Sequence, residues 1–253
     1  MALPYLLEQW KRPLWNSDWQ NTEPSRCGES LRAARIRTTK AIVNGAQRDY
    51  VSVLSSGLFQ PIADLFHLMD QRLPAGPNEV QASPAENGQA ASIIVLGVLV
   101  LESVLNRTRY VDKVGAEKPL DTLRRLGAGN LAEDAEELFV LRDVIAHNHL
   151  WVATFHWDDQ GEMRLDSAEI LPGYGDKKFK RVVDPDTRRT RRLGLDVFPT
   201  RVHRFTAILV LKKCAEILSF LENSNRHYVY LEPVTVQLET EFIPFYRWVD
   251  ELA

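Results

Sequence analysis

Residues 138 to 151 read LFVLRDVIAHNHLW, a run in which apolar residues enclose Arg142, Asp143, His147, Asn148 and His149. Ions in such surroundings need either partners in the fold or a ligand, because burying an unpaired charge is costly. On a helix at about 100° per residue, Asp143 and His147 lie side by side, and a carboxylate there favours the protonated imidazole. Arg142 points about 100° from Asp143, near the direction of His149, and its long stem can still curve toward His147. An imidazole, a carboxylate and a guanidinium in a partly dry wedge can move protons and stabilise developing negative charge. Metal binding by His147, His149, His156 and Asp158 is the competing chemistry. His-x-His puts two imidazoles on one face of an extended segment, but on a helix it splits them by about 160°. The acid–base set is therefore expected, with no metal. The plainest alternative is a solvated Arg–Asp pair, with a histidine complementing the dipole at a helix C-terminus.

The elements that must position these groups are mainly helical. Gln47 to Leu73 has apolar residues at helical spacings, with Pro61 expected to end or kink the helix. Residues 73 to 88 are rich in Pro, Gly, Asn and Ser and read as a loop. A helix apolar almost all round follows over about Gln89 to Val114, so a central position in a bundle is expected. Residues 118 to 127 suit a short helix. Gly129-Asn130 opens a third long one, with Glu133, Asp134, Glu136 and Glu137 near its start, where the macrodipole favours acids. WVATFHW and MRLDSAEIL, joined by DDQGE, predict a β-hairpin over about 151 to 171. Thr200 can cap a last long helix over about Arg201 to Glu222. The fold class expected is mainly α, an up-and-down bundle with an inserted hairpin.

RDVIAH, with an Arg, a polar neighbour and a His five residues after the Arg, resembles the signature of HEPN-domain ribonucleases. The apolar helix ending LESVLN (101 to 106) is similar to the helix that precedes that motif in the family. The resemblance covers about residues 47 to 225. It implies a HEPN-like helical bundle and a metal-independent endoribonuclease, found in many members as a toxin or phage-defence effector. His147 would be general base on the ribose 2′-hydroxyl and Arg142 would stabilise the phosphorane, with Asp143 orienting or supporting them. Glu102, Asn148 and His149 would be supporting residues, Glu102 as a partner for Arg142. The resemblance also implies a homodimer with a composite active site and an antitoxin or regulatory protein as a further partner. One departure is His149, which stands where some toxin members carry a Tyr, putting control by nucleotide transfer to that Tyr in doubt. A non-catalytic module that binds nucleotide, RNA or protein is the alternative, and a purely structural helical dimer a third.

Lys177, Lys178, Lys180, Arg181, Arg188, Arg189, Arg191 and Arg192 form a basic segment (176 to 193), read as a loop facing only Asp176, Asp184 and Asp186. A solvated charge run is the ordinary explanation. Beside an RNase-like motif, binding to RNA phosphates is expected instead, with Phe179 able to stack on a base.

The rest of the chain sets bounds. Residues 1 to 46, holding Trp10, Trp15 and Trp19 among prolines, are expected to be an arm packing on the bundle, and residues 226 to 253 a C-terminal extension. A net charge of -3 over 253 residues excludes a globally basic nucleic-acid binder but not a local basic patch. Cys27 and Cys214 are too few for a disulfide framework. No Walker loop, dinucleotide fingerprint or Gly-x-Ser-x-Gly elbow occurs, so no cofactor is expected. The N-terminus lacks a signal-peptide pattern, and the longest apolar run, Ala90 to Leu101, is shorter than the ~20 residues of a membrane span. The expectation is a soluble, cytoplasmic protein with no membrane partner.

Overall fold

Ser83-Pro84-Ala85-Glu86 starts the longest helix, α2 (Pro84–Val111). The Ser83 hydroxyl accepts from the Glu86 backbone N–H at 3.2 Å, and Pro84 occupies the first turn, where an N–H would have no intrahelical acceptor. The helix thus begins inside the stretch expected to be loop. Proline acts the same way in α1 (Phe59–Asp70): Pro61 sits in the first turn and helps begin the helix rather than ending or kinking it.

The computed structural model describes residues 57–72, 82–147, 151–161, 163–171, 177–229, 231 and 234–252. The expected arm (1 to 46) and two supporting candidates, Asn148 and His149, lie outside the described residues, all of which fall in the compact unit Val51–Ala253. Helix dominates it. After α2 come α3 (Pro119–Arg125), α4 (Gly129–Ala146), the antiparallel hairpin β1 (Trp151–Trp157) and β2 (Met163–Ile170), and α5 (Lys177–Val182). The minimal hairpin β3 (Val183–Asp184) and β4 (Arg189–Thr190) leads through a 3-10 turn (Pro199–Arg201) to α6 (Arg204–Ser224). The chain then forms the hairpin β5 (Thr235–Leu238) and β6 (Glu241–Pro244) and ends in α7 (Phe245–Glu251).

Helix α2 is long and apolar enough to cross a membrane by composition, but α1, α3, α4 and α6 all pack on it. Ile93, Ile94, Leu101 and Leu105 are fully buried. Each such side chain contributes roughly 1.5–3 kcal/mol of burial. At Gly97 a Cβ would stand 3.2 Å from Leu211 Cδ2, so the missing side chain lets α2 and α6 approach closely. Cys214, on the inner face of α6, is buried, and that burial pushes its thiol up to about 12.

Helix α6 is not capped by Thr200. Its N-cap is His203, while the Thr200 hydroxyl is buried and has no hydrogen-bond partner among the described residues. A buried ion cluster holds this end instead. Arg204 Nε donates to Glu86 Oε1 (3.4 Å) and Nη2 donates to the carbonyls of Met69 and Arg72 (2.8 Å each), tying α1, α2 and α6 together. The C-terminal segment joins the same core: Phe245 meets Phe59 at 4.3 Å between ring centroids, and Trp248 meets Phe66 edge-on at 5.9 Å.

Candidate active site

Arg142 lies near the end of α4, where the helix passes α2. Its Nη1 donates to Glu102 Oε2 at 2.8 Å and its Nε to Asp143 Oδ1 at 2.7 Å. Glu102 is the first acidic residue after a long apolar stretch of α2, so the ion pair forms where the core reaches the surface. The Arg142 side chain is only 20% exposed. Burial alone pulls its pKa down. The hydrogen bond to Glu102 and the charge of Asp143 outweigh that and leave it raised, so the guanidinium is a fixed cation. Its plane lies over Phe139, 5.8 Å from the ring centroid. Nη2 has no partner among the described residues, and that corner of the fork can meet an anion.

The basic segment is not an open loop. Its first part is α5, and β3 and β4 close the rest into a tight turn. The acidic first half of α4 neutralises much of it. Arg181 pairs with Glu136, and Arg192 pairs with Glu133 (2.8 Å) and with the buried Asp134 (2.9 Å). The hydrogen bond to Asp134 raises the pKa of Arg192. Glu137, almost fully buried, accepts the backbone N–H groups of Arg192 and Leu193 at 2.8 Å each. Arg189 pairs with Asp196 at 3.3 Å, and Arg191 Nε donates to the Arg181 carbonyl. The acids facing this segment are thus those of α4 and Asp196, about 40 or more residues away in the first case, and not only the local aspartates. Lys177, Lys180 and Arg188 have no carboxylate partner among the described residues. Phe179 is half-buried and meets Trp151 edge-on at 6.1 Å, packing part of its ring against the hairpin.

Between α3, α4 and α5 opens a cleft of about 840 Å³. Seven Lys and Arg side chains, among them Lys118, Arg124, Arg142 and Lys178, and five carboxylates, among them Glu102 and Asp121, line it. Lys118 and Arg124 were not among the expected site residues. Their short helix offers no motif, and only its packing against α4 brings them here.

His147 follows the last residue of α4, as its C-cap, and its backbone N–H donates to the Asp143 carbonyl at 2.9 Å. The side chain is exposed, has no hydrogen bond among the described residues, and is not part of the cleft lining. Asp143 binds Arg142 rather than His147, so within one chain the carboxylate supports the guanidinium. The hairpin holds the other two members of the alternative metal set apart from these groups. His156 Nδ1 pairs with Asp166, and Asp158 accepts from Arg164 and from the Gln160 backbone. Among the described residues no three His, Cys, Asp or Glu side chains converge as metal ligands.

Comparison of the chain with known protein families, curated proteins and solved structures finds no match to any of them.

Proposed function

We propose that this chain is a HEPN-type, metal-independent endoribonuclease, acting as a cytoplasmic toxin or phage-defence effector restrained by an antitoxin or regulatory protein. One observation carries the proposal: the Glu102–Arg142–Asp143 cluster joins two core helices beside a cleft lined by seven cationic and five acidic side chains, with the exposed imidazole of His147 just past the end of α4.

In the proposed reaction His147 removes the proton of a ribose 2′-hydroxyl, and the 2′-oxygen attacks the adjacent phosphorus. The bond to the 5′-oxygen breaks, and that oxygen receives a proton. The products are a 2′,3′-cyclic phosphate and a 5′-hydroxyl. Arg142 offsets the charge that builds on the phosphorane, where a preorganised donor stabilises most. A single His147 at the rim of one chain leaves the second proton transfer to another group. A homodimer that brings two copies of His147 across one cleft supplies it. Lys177, Lys180 and Arg188, exposed or half-exposed without carboxylate partners, would hold the RNA strand beyond the reacting phosphate.

A non-catalytic, anion-binding module is the second reading, favoured by the absence of His147 from the cleft lining. RNA cleavage in EDTA separates the two. The wild type should cut and leave a cyclic phosphate, and His147→Ala should bind RNA normally while cleaving on the order of 100-fold more slowly or worse. Cleavage abolished by EDTA and restored by zinc or manganese would defeat the proposed chemistry, and an uncut substrate would favour the binding module.

A further inference from the structure

Lys178 is the one lysine of the basic segment that faces the Arg142 cluster. Its Nζ lies 3.8 Å from Asp143 Oδ2, beyond hydrogen-bond distance, and 5.6 Å from the centroid of Phe139. Arg142 approaches the same carboxylate through Oδ1 and the same ring at 5.8 Å. The two cationic heads therefore share one carboxylate and one aromatic face at the cleft. The ammonium is only 28% exposed on its side chain and makes no hydrogen bond among the described residues. Nζ is not sealed from solvent, so water supplies acceptors that a ligand oxygen can displace.

We propose that Lys178 and Arg142 clasp the same RNA phosphate, the one that reacts, with Nζ and Nη2 each taking a non-bridging oxygen. This rests on the ribonuclease reading above. It also gives the neighbouring arginines a different task. Arg181 on Glu136 and Arg192 on Asp134 fix α5 and the following turn against α4, and Phe179 anchors the inner side of α5 on Trp151. These contacts set where Lys178 stands. Lys178 also offsets the charge of Asp143, but at 3.8 Å its Nζ stands short of a hydrogen bond to Oδ2. A phosphate against the two heads would replace the water there, and its charge grows in the phosphorane, where both cations gain most.

The test compares wild type, Lys178→Met and Lys178→Arg. Single-turnover cleavage is measured beside the affinity for a fluorescent 2′-O-methyl oligoribonucleotide, which binds but cannot react, over a range of salt. Lys178→Met should lose on the order of 100-fold in rate, with an unchanged thermal midpoint. Its slope of log affinity against log salt should flatten by about 0.7, the value for one phosphate contact on a single strand. Lys178→Arg should recover most of both. A Lys178→Met protein with wild-type rate and slope overturns the proposal, as does a rate loss that follows a fall in melting temperature. If wild type binds the oligonucleotide but cuts no RNA, the ribonuclease reading fails and the salt slope alone judges Lys178: flattened upholds the phosphate contact, unchanged overturns it. Failure of wild type to bind the oligonucleotide also overturns it.

Discussion

Glu102 is separated from Arg142 by a whole helix and a turn, and its carboxylate is the long-range half of the grip on the guanidinium. Its carboxylate and that of Asp143 hold the guanidinium from two sides, so the fork cannot rotate away from the cleft. Glu102→Gln keeps an oxygen acceptor but removes the charge. Stability should change little, because a partly exposed ion pair contributes about 0–1 kcal/mol. Cleavage should fall on the order of 10-fold, since a loosened guanidinium is misplaced for the phosphorane. Rate and thermal midpoint measured together decide it, and a rate loss explained by unfolding would make Glu102 merely structural. The pair was legible in the sequence. It was expected through the resemblance carried by LESVLN and RDVIAH, and spacing alone did not require it. The surroundings of Lys178 were not legible, because Phe139 looks like ordinary core until α5 lands beside it.

The clasp at the start of α6 and the corner before α3 show how elements are joined by charge. Glu86 is 1% exposed, and Arg204 is its charged partner. Arg204→Ala should cost about 3–5 kcal/mol, the usual penalty for breaking a buried pair, readable as a lower urea midpoint. An unchanged midpoint would show that the backbone N–H bond to Glu86 suffices. At the corner, Glu117 accepts from Arg125 Nε (2.9 Å) and Thr122 Oγ1 (2.8 Å). The Arg125 hydrogen bond chiefly holds its carboxyl below the ordinary 4.5. A depressed carboxyl stabilises the fold fully above its unfolded value and loses that contribution as pH falls through the folded one. Glu117→Gln should therefore melt below wild type at neutral pH, and the gap should close as pH drops below about 4.5. A gap independent of pH would sever it from this titration. The start of α2 was missed at this scale, because the Pro, Gly, Asn and Ser of residues 73 to 88 outweighed the Ser83–Glu86 capping pattern. The pairing of α4 acids with the basic segment was missed too, because charges so far apart in sequence carry no local signal.

At the scale of the molecule, the proposed homodimer would give the exposed His147 and the β1–β2 hairpin a partner surface. β1 and β2 pair only with each other among the described strands, and Val152, Phe155 and Trp157 are exposed along β1. A two-stranded ribbon is marginal in water without further packing. The protein should sediment as a dimer at micromolar concentration, and mixing His147→Ala with Arg142→Ala chains should restore part of the activity through hybrid sites. A strict monomer, or inactive mixtures of properly exchanged chains, would remove the composite-site arrangement. The helices that build the core were visible as periodic apolar stretches. The return of β5, β6 and α7 to α1 was not, since aromatic contacts such as Phe59 with Phe245 are closed only by the complete chain.

Cys214 gives this core a clock. Enclosed between α6 and its neighbours, with ionisation displaced to about 12, the sulfur has almost no nucleophilic form in the closed state. Alkylation must wait for the helix to come away, so in a Cys27→Ser background the labelling rate counts openings of the bundle's centre. Occupancy of the cleft by an oligonucleotide that favours the closed form slows that count, making ligand binding readable at a buried atom by ordinary mass spectrometry.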